Sequence, residues 1–352
     1  MPSSLQPASS FAFIGFGEVG SRFARDIHAV DGLARISAFD IDAAARDRAA
    51  ATGFVTLGAS AAEAVGTADV VVLAVTAGSV LAAAGSLSGG LAHRPLVVDV
   101  NSVSPATKQE ASRRVGRAGG RYVEAAVMTS VPPHGLAAPM LLGGPHASAF
   151  IDAMAPFGMR LTPVSETIGH ASSVKMCRSV MIKGLEALVT ECLLTARHYG
   201  VEEPVLASLA DTLPHPDWPG LARYLIGRPL QHGKRRAEEM REVARTVQGA
   251  GLVPLMSAAI AERQETSGRL GRRLDPAARD DGLGPLLDAL AALAADDLGR
   301  AALAADDLGR AALAADDLGR AALAADDLGM PALAAAPDPE RPALGARAPA
   351  AA

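Results

Sequence analysis

The chain has 352 residues, 49% of them hydrophobic, and carries a formal net charge of -5. That length predicts two domains with a sizeable core, and the acidic balance excludes a global basic surface for nucleic acid. The two cysteines, Cys177 and Cys192, are too few for a disulfide framework and indicate a reducing, cytoplasmic environment.

The first residues, "MPSSLQPASS", include neither a basic residue nor a long apolar region, so we expect no signal peptide. The most apolar window, residues 70–85, is interrupted by Thr76, Gly78 and Ser79 and is too short to cross a bilayer. This window predicts a buried strand followed by a helix, and we expect no membrane partner.

Residues 1–168 alternate short apolar runs with longer helical patterns. The predicted strands are "FAFIGF", "RISAFD", "VVVLAV", "LVVDV" and "RYVEAAV". The predicted helices are "EVGSRFARDIHAV", "AAARDRAAA" and "ATKQEASRRVGRAG". Because strands rich in β-branched residues alternate with helices, this part predicts an α/β fold with a doubly wound parallel sheet of the Rossmann type.

A glycine-rich turn follows the first predicted strand. Gly15 permits the tight turn, Gly17 leaves room for a pyrophosphate, and Gly20 lets the next helix pack on the strand. The free N–H groups at the start of that helix would face the phosphates. We expect a dinucleotide site here; a tight turn that binds nothing is the alternative. The predicted cofactor-binding residues are Gly15, Phe16, Gly17, Glu18, Val19, Gly20, Asp40, Val75, Thr76 and Asn101.

Asp40 ends the second predicted strand, twenty residues after Gly20. A carboxylate there can accept hydrogen bonds from the ribose hydroxyls and repels a 2′-phosphate, which favours NAD over NADP. Arg46 and Arg48 lie nearby and could meet such a phosphate, so NADP stays open.

From Gly169 onward the pattern is helical, and residues 169–290 predict an all-helical domain. Residues 171–200 contain no proline and carry apolar residues at steps of three and four, which predicts one long helix that stops at Gly200. Its apolar face consists of Val174, Cys177, Met181, Leu185, Leu188 and Cys192, and we expect the cysteines to serve packing. Further helices are predicted over 204–212, 219–226, 234–250 and 254–269.

Residues 291–352 form a separate tail. The segment "AALAADDLGR" occurs three times over 291–320, and a fourth copy over 321–330 ends in Met330. Its leucines recur every five residues, a spacing that does not build one helical face. Near-identical units indicate recent duplication of a coding segment, with an interaction tail as the alternative, and the last residues predict disorder.

Three segments together carry a family resemblance: the glycine turn, "VVDVNSVSP" at 97–105 and "GHASSVKMCRS" at 169–179. They resemble the β-hydroxyacid dehydrogenase superfamily, which includes 3-hydroxyisobutyrate, tartronate semialdehyde and 6-phosphogluconate dehydrogenases. "AAVMTSVPP" and "HGKRRAEEM" are similar to its 6-phosphogluconate dehydrogenase-like branch, which has a short C-terminal domain of unknown function. The resemblance covers residues 10–290 and implies a homodimer or higher oligomer with interlocked helical domains.

The resemblance implies that Lys175 is the general acid/base. The family segment Gly-x-Gly-x-x-x-Lys-x-x-x-Asn matches at Gly169 and Lys175, whereas Ala171 and Ser179 replace its second glycine and its asparagine. Small and apolar neighbours also predict partial burial of Lys175, which lowers a lysine pKa toward a useful range. A lysine that reaches solvent from a helix end is the plain alternative. Ser179, one turn further along, is the second catalytic candidate.

The substrate site departs from the family. Where the family has Asp-x-Pro-Val-Ser-Gly-Gly, residues 124–130 read "EAAVMTS", so we expect a rebuilt loop with Thr129 and Ser130 in contact with the substrate. His232 and Arg235 are the candidate ligands of a carboxylate, since arginine binds one in fork geometry; a solvated basic face is the alternative. Asn101 takes the first place of the family's Ser-Thr pair near the nicotinamide. No cluster of residues has the spacing of a metal site.

These observations predict an oxidoreductase that transfers a hydride between NAD, or NADP, and a small hydroxyacid. An imine or enamine reductase on the same scaffold and a non-catalytic NAD-binding protein are the alternatives. The retained Lys175 argues against both. A true 6-phosphogluconate dehydrogenase is disfavoured because its helical domain is much longer than residues 169–290.

Overall fold

An eight-stranded sheet organises the N-terminal part of the computed structural model, which describes residues 7–297. Its spatial order is β3-β2-β1-β4-β5-β6-β7-β8, and all neighbours are parallel except β6 and β7. The strands are β1 (Ser10–Ile14), β2 (Arg35–Phe39), β3 (Val55–Leu57), β4 (Val70–Leu73), β5 (Leu96–Asp99), β6 (Arg121–Val127), β7 (Met140–Gly143) and β8 (Leu161–Ser165). The predicted Rossmann-type sheet is confirmed, and its strand order reverses between β1 and β4, where such sheets bind ligands.

Helices connect the strands and cover both faces of this sheet. They are α1 (Glu18–Val30), α2 (Ala43–Ala50), α3 (Ala61–Val65), α4 (Val80–Ser86), α5 (Pro105–Arg117), α6 (Val131–His134) and α7 (Ala147–Met154). Strand β1 shows how the layers form, because Phe11 and Phe13 enter one apolar core and Ala12 and Ile14 enter the other. Successive strand residues point to opposite faces, so a fully apolar strand is buried on both sides.

The chain then becomes all-helical, as predicted. Its helices are α8 (His170–Tyr199), α9 (Glu202–Thr212), α10 (Trp218–Gly249), α11 (Leu255–Arg273) and α12 (Pro276–Asp280), and residues 283–297 are also helical. Helices α10 and α11 approach closely at Gly233 and Gly268, where an added Cβ would collide with the facing backbone. One compact unit ends at Ala291; the repeats from residue 298 onward lie outside the described residues.

Two details of the predicted helical part are wrong. Segments 219–226 and 234–250 are one continuous helix, α10, with Pro229 buried inside it. Proline usually breaks a helix interior, but α10 packs along both α8 and α11, and this tertiary contact keeps it continuous. Residues 232–236 therefore lie within a helix and not at its start.

The second wrong detail concerns the packing of α8. The helix agrees with the predicted segment 171–200 to within one residue at each end, but its predicted apolar face is largely exposed. Met181 and Leu188 are 64% and 58% exposed, and both cysteines are exposed as well, so the cysteines do not pack in the core of this chain. The buried face instead holds small and polar residues, including Ser179, Lys183 and Glu186. Within residues 7–297, no helix is long and apolar enough to cross a membrane.

Candidate active site

The glycine turn leaves room for a pyrophosphate on one side only. A Cβ on Gly15 would collide with the carbonyl oxygen of Ala74, and one on Gly20 would collide with the carbonyl oxygen of Gly15. Gly17, in contrast, has no atom within 4 Å of such a Cβ. Helix α1 begins directly after Gly17 without a side-chain cap, so its first N–H groups are free to face a phosphate. The turn therefore fits a dinucleotide.

Asp40 stands beside this turn at the end of β2. Its Oδ2 accepts a hydrogen bond from Phe16 N at 2.7 Å, and its Oδ1 accepts one from Asp42 N at 2.9 Å. Each carboxylate oxygen keeps acceptor capacity for a ribose hydroxyl. Arg46 donates from Nη1 to the carbonyl oxygens of Asp40 and Ile41, both at 2.9 Å, so its guanidinium lies at the same edge.

Asn101 joins the ends of β4 and β5. Its Oδ1 accepts from Val75 N at 2.7 Å, and its Nδ2 donates to Leu73 O at 3.1 Å and to Asp99 Oδ1 at 2.6 Å. The side chain is buried and points into the protein. Asn101 thus fixes the backbone of Val75, and Thr76 follows with its hydroxyl 3.0 Å from that of Ser79.

A buried charge pair lies beneath this loop. Asp99 and Lys108 have no exposed surface, and Lys108 Nζ lies 2.9 Å from Asp99 Oδ1. Tyr122 donates its hydroxyl to Asp99 Oδ2 at 2.7 Å. Burial and the charge of Asp99 raise the pKa of Tyr122, which keeps this phenol protonated as a donor. The backbone N–H of Asn101 also donates to Asp99 Oδ1, at 2.9 Å, so the network holds the loop that follows β5.

Lys175 meets that loop from α8. Its Nζ donates to Ser102 Oγ at 2.5 Å, and the side chain is half-buried. Burial lowers the pKa of Lys175 to about 8; Lys183, Lys108 and Arg235 act in the same direction, while Glu239 opposes them. The amine is therefore partly neutral near neutral pH, as a general base requires.

A second ion-pair cluster adjoins Lys175. Lys183 Nζ lies 2.8 Å from Glu239 Oε2, and Arg235 Nη1 lies 2.6 Å from Glu239 Oε1. Burial would raise the pKa of Glu239, yet the cations Lys183, Arg235 and Lys175 together lower it to about 2, so it is ionised. Sequence reasoning missed Lys183 and Glu239. Lys183 follows Lys175 by eight residues, which places both on one helix face, and this spacing could have identified it.

The other predicted site residues differ in their exposure to solvent. Ser179 is buried one turn further along α8. His232 is exposed on α10; burial of its ring and the charge of Arg235 lower its pKa, while the charge of Glu18 at the start of α1 raises it.

Thr129 and Ser130 are exposed after β6, in a loop that packs on α1. Arg22 donates to the carbonyl oxygen of Pro132 there. Among residues 7–297, no group of histidines, cysteines or carboxylates could hold a metal ion.

Known protein families match this chain in both its sheet-containing and its helical part. Residues 10–154 match the NAD binding domain of 6-phosphogluconate dehydrogenase, and residues 196–267 match a domain of unknown function, DUF1932. A conserved hypothetical protein from Sinorhizobium meliloti 1021 is 36% identical, with a TM-score of 0.65 over 83% of this chain and 98% of that one. The chain belongs to this 6-phosphogluconate dehydrogenase-like family. Its cofactor is accordingly a nicotinamide dinucleotide, NAD or NADP.

Two further solved structures are similar to this chain. A conserved protein of unknown function, described as structurally similar to 3-hydroxyacid dehydrogenases, is 30% identical, with a TM-score of 0.59 over 74% of this chain and 98% of that one. The 3-hydroxyisobutyrate dehydrogenase of Mycobacterium tuberculosis shares the fold at 17% identity, with a TM-score of 0.57 over 81% and 99% of the two chains. The fold is therefore of the 3-hydroxyacid dehydrogenase type.

Proposed function

We propose that this protein is an NAD(P)-dependent dehydrogenase that oxidises the hydroxyl group of a small hydroxyacid, with Lys175 as the group that takes the proton. The supporting observation is the state of the amine. Lys175 is half-buried, its pKa is about 8, and it is hydrogen-bonded to Ser102 in the loop at the end of β5. That loop and the glycine turn lie at the same edge of the sheet.

The proposed reaction requires a base beside the alcohol. A bound nicotinamide would accept the hydride, that is, two electrons and one proton. At pH 7 a lysine with a pKa near 8 is neutral in about a tenth of the molecules, and the neutral amine can accept the hydroxyl proton as the carbonyl forms. Ser102 holds the amine at 2.5 Å, and Ser179, buried on the same helix, is proposed as a second polar contact to the substrate.

Charge around Lys175 supports an acid as the substrate. Lys175, Lys183 and Arg235 lie close enough to influence one another, and Glu239 is the anion among them. A carboxylate would therefore meet a net positive environment, and Arg235 is half-exposed. We propose that Arg235 binds the acid group. Thr129, Ser130 and His232 are proposed to line the outer part of the same pocket.

The decisive experiment is an assay of the purified protein with a panel of small hydroxyacids and, in the reverse direction, aldehydes. Each is tested with NAD and with NADP, and absorbance of the reduced nicotinamide is followed. We expect turnover of at least one hydroxyacid that is lost with Lys175→Ala. Turnover of cyclic imines without turnover of any hydroxyacid would contradict this assignment.

The exposed apolar residues of α8 support a homodimer. Val174, Met181, Leu185 and Leu188 form an exposed apolar stripe, and exposed apolar area of this kind is stabilised when a partner covers it. We propose that a second copy covers the α8 stripe. Light scattering should give a dimer mass for the wild type and a monomer mass for Met181→Glu; a monomeric wild type would refute the proposal.

The proposed location is the cytoplasm. Both cysteines are exposed as free thiols, a state that a reducing compartment maintains. The cofactor, NAD or NADP, is also available in that compartment.

A further inference from the structure

Two carboxylates lie side by side in the centre of the sheet. Asp99 on β5 and Glu124 on β6 are partners in the strand register, and neither has any exposed surface. Asp99 has a counter-ion, Lys108. Glu124 instead accepts hydrogen bonds from two backbone N–H groups, Gly169 N to Oε2 and Ser172 N to Oε1, both at 2.6 Å. Its charge is therefore stabilised by the N-terminus of α8.

The surroundings of Glu124 are shaped to hold its carboxylate at this point. Gly143 on β7 is its register partner on the other side, and a Cβ there would lie 2.5 Å from Glu124 Oε2. Gly169, which donates to the same oxygen, has a φ of 108°, a conformation that favours glycine. Any larger residue at either glycine would displace the carboxylate or the first turn of α8.

This contact bears on the proposed active site because Lys175 lies on α8 one turn beyond the anchored first turn. Ser172 precedes Lys175 by three residues, so the two share one face of the helix. On the neighbouring strand Asp99 holds Asn101 and with it the loop of Ser102. The two buried carboxylates thus fix the two partners of the Lys175–Ser102 hydrogen bond, each from its own strand.

We propose that Glu124 is the positioning residue of Lys175: by anchoring the first turn of α8 to β6, it sets where the amine lies relative to Ser102. The catalytic meaning of this inference rests on the proposed function, whereas its geometric content can be measured without any substrate. Sequence reasoning placed Glu124 only at the start of a rebuilt substrate loop. Because Glu124 is buried and accepts two N–H groups of α8, it contacts the start of this helix and not a substrate loop.

The test is competitive labelling of lysines with acetic anhydride over a pH series, read by mass spectrometry on the peptide that contains Lys175. Exposed Lys234 serves as the internal reference. In the wild type we expect a labelling midpoint near pH 8. In Glu124→Gln the side-chain NH₂ group replaces one carboxylate oxygen, so a donor then faces one of the two backbone N–H groups. We expect α8 to lose this anchor and Lys175 to become less buried. The midpoint should then rise by about one unit or more, since burial is the main cause of its depression.

The sign of this shift separates positioning from simple charge removal. Loss of a nearby negative charge would lower the pKa of Lys175, which is opposite to the expected rise. Gly143→Ala keeps the charge but displaces the carboxylate, so it should raise the midpoint as well. Asp69→Asn is the matched control: Asp69 also accepts two backbone N–H bonds, from Ser9 and Ser10 at 3.0 Å, but at the opposite edge of the sheet, and the midpoint of Lys175 should stay unchanged.

An unchanged or lowered midpoint in a Glu124→Gln protein that folds and binds NADH would overturn the inference. If that variant does not fold, Gly143→Ala decides alone by the same criterion. Where a substrate has been found, kcat in Glu124→Gln should fall about tenfold with the KM of the cofactor unchanged, and the pH limb should move with the labelling midpoint. Absence of any turnover would contradict the proposed function, but the labelling result would still decide the role of Glu124.

Discussion

The glycine turn and the surroundings of Lys175 are built in different ways, although they lie at the same edge of one sheet. The turn uses Gly15, Gly17, Gly20 and Asp40, all within one strand, one helix and the next strand. The Lys175 site joins groups that are distant in the chain: Lys175 and Ser102 are 73 residues apart. In the turn the expected binding groups are backbone N–H groups and one carboxylate from adjacent elements, whereas at Lys175 the properties of the amine depend on burial and on charged partners. The first region should therefore tolerate changes in distant elements that alter the second.

The largest expected effect is loss of turnover in Lys175→Ala. General acid–base help is typically worth about 10²–10⁴-fold, so kcat should fall by that order while NADH still binds. Lys175→Arg should be nearly as slow, because arginine stays protonated at any working pH. Steady-state rates and NADH fluorescence titration measure the two properties separately. An alanine variant within about threefold of the wild-type rate would remove Lys175 from the mechanism.

The pH dependence of the same reaction follows from the pKa of Lys175. Oxidation needs the neutral amine, so its rate should be low below the pKa of about 8 and rise as the pH passes through it. Reduction needs the protonated amine and should fall over the same interval. The Lys175→Ala variant should lack this limb in both directions. If the limb of the pH–rate profile persists in this variant, the limb belongs to a group other than Lys175.

The next effect concerns stability beneath the site. Lys108→Met leaves the fully buried Asp99 without its counter-ion, and breaking such a buried pair typically costs about 3–5 kcal/mol in free energy of unfolding. Arg113→Met is the control on the same helix, since Arg113 pairs with Glu110 but is 58% exposed, and it should cost under about 1 kcal/mol. Urea denaturation compares the two. Equal losses of unfolding free energy in the two variants would mean that the buried pair stabilises the protein no more than the exposed pair does.

Sequence patterns predicted those parts of the fold in which the information is local. The apolar runs of β1, β2, β4, β5 and β6 and the long helix α8 were found where they were predicted. Strands β3 and β8 were missed because one has three residues and the other is mostly exposed and contains Pro163, so neither has a clear apolar pattern. Strand β7, buried but only four residues long, pairs antiparallel with β6, which strand–helix alternation does not predict.

The candidate site follows the same division. Spacing singled out the glycines and Asp40 as candidates and a motif singled out Lys175, and their roles stay predictions. Spacing could not single out Glu239 and Glu124, because their contacts are with other elements: Lys183 on α8 for Glu239, and the first turn of α8 for Glu124. Periodicity grouped the apolar residues of α8 on one side of the helix, but that side is largely exposed in this chain, and periodicity cannot tell whether the same chain or a second copy covers such a face.

A smaller effect is expected on the choice between NADH and NADPH at the glycine turn. Asp40 accepts Phe16 N and Asp42 N, and its remaining lone pairs and its charge should favour NAD. Asp40→Asn should move the ratio of NADPH to NADH affinity by about tenfold toward NADPH, about 1.4 kcal/mol. Asp42→Asn is the control, since Asp42 caps α2 through Ala44 N and Ala45 N. Fluorescence titration needs no substrate here, and a wild type that already prefers NADPH would contradict the assignment.

The smallest expected effect is that of removing the tail. The compact unit ends at Ala291, and Leu286, Leu287 and Leu290 just before this point are buried. A chain that stops after Ala291 should therefore keep its yield of soluble protein, its melting temperature and its turnover. A chain that stops after Gly282 loses these three leucines, each worth about 2–5 kcal/mol when truncated to alanine, and should not fold. The two truncations together test whether the repeats are only a duplicated coding segment or an interaction tail. If the longer truncation product also becomes insoluble, the repeats are not merely a duplicated coding segment, and the tail then covers apolar surface or supports a dimer.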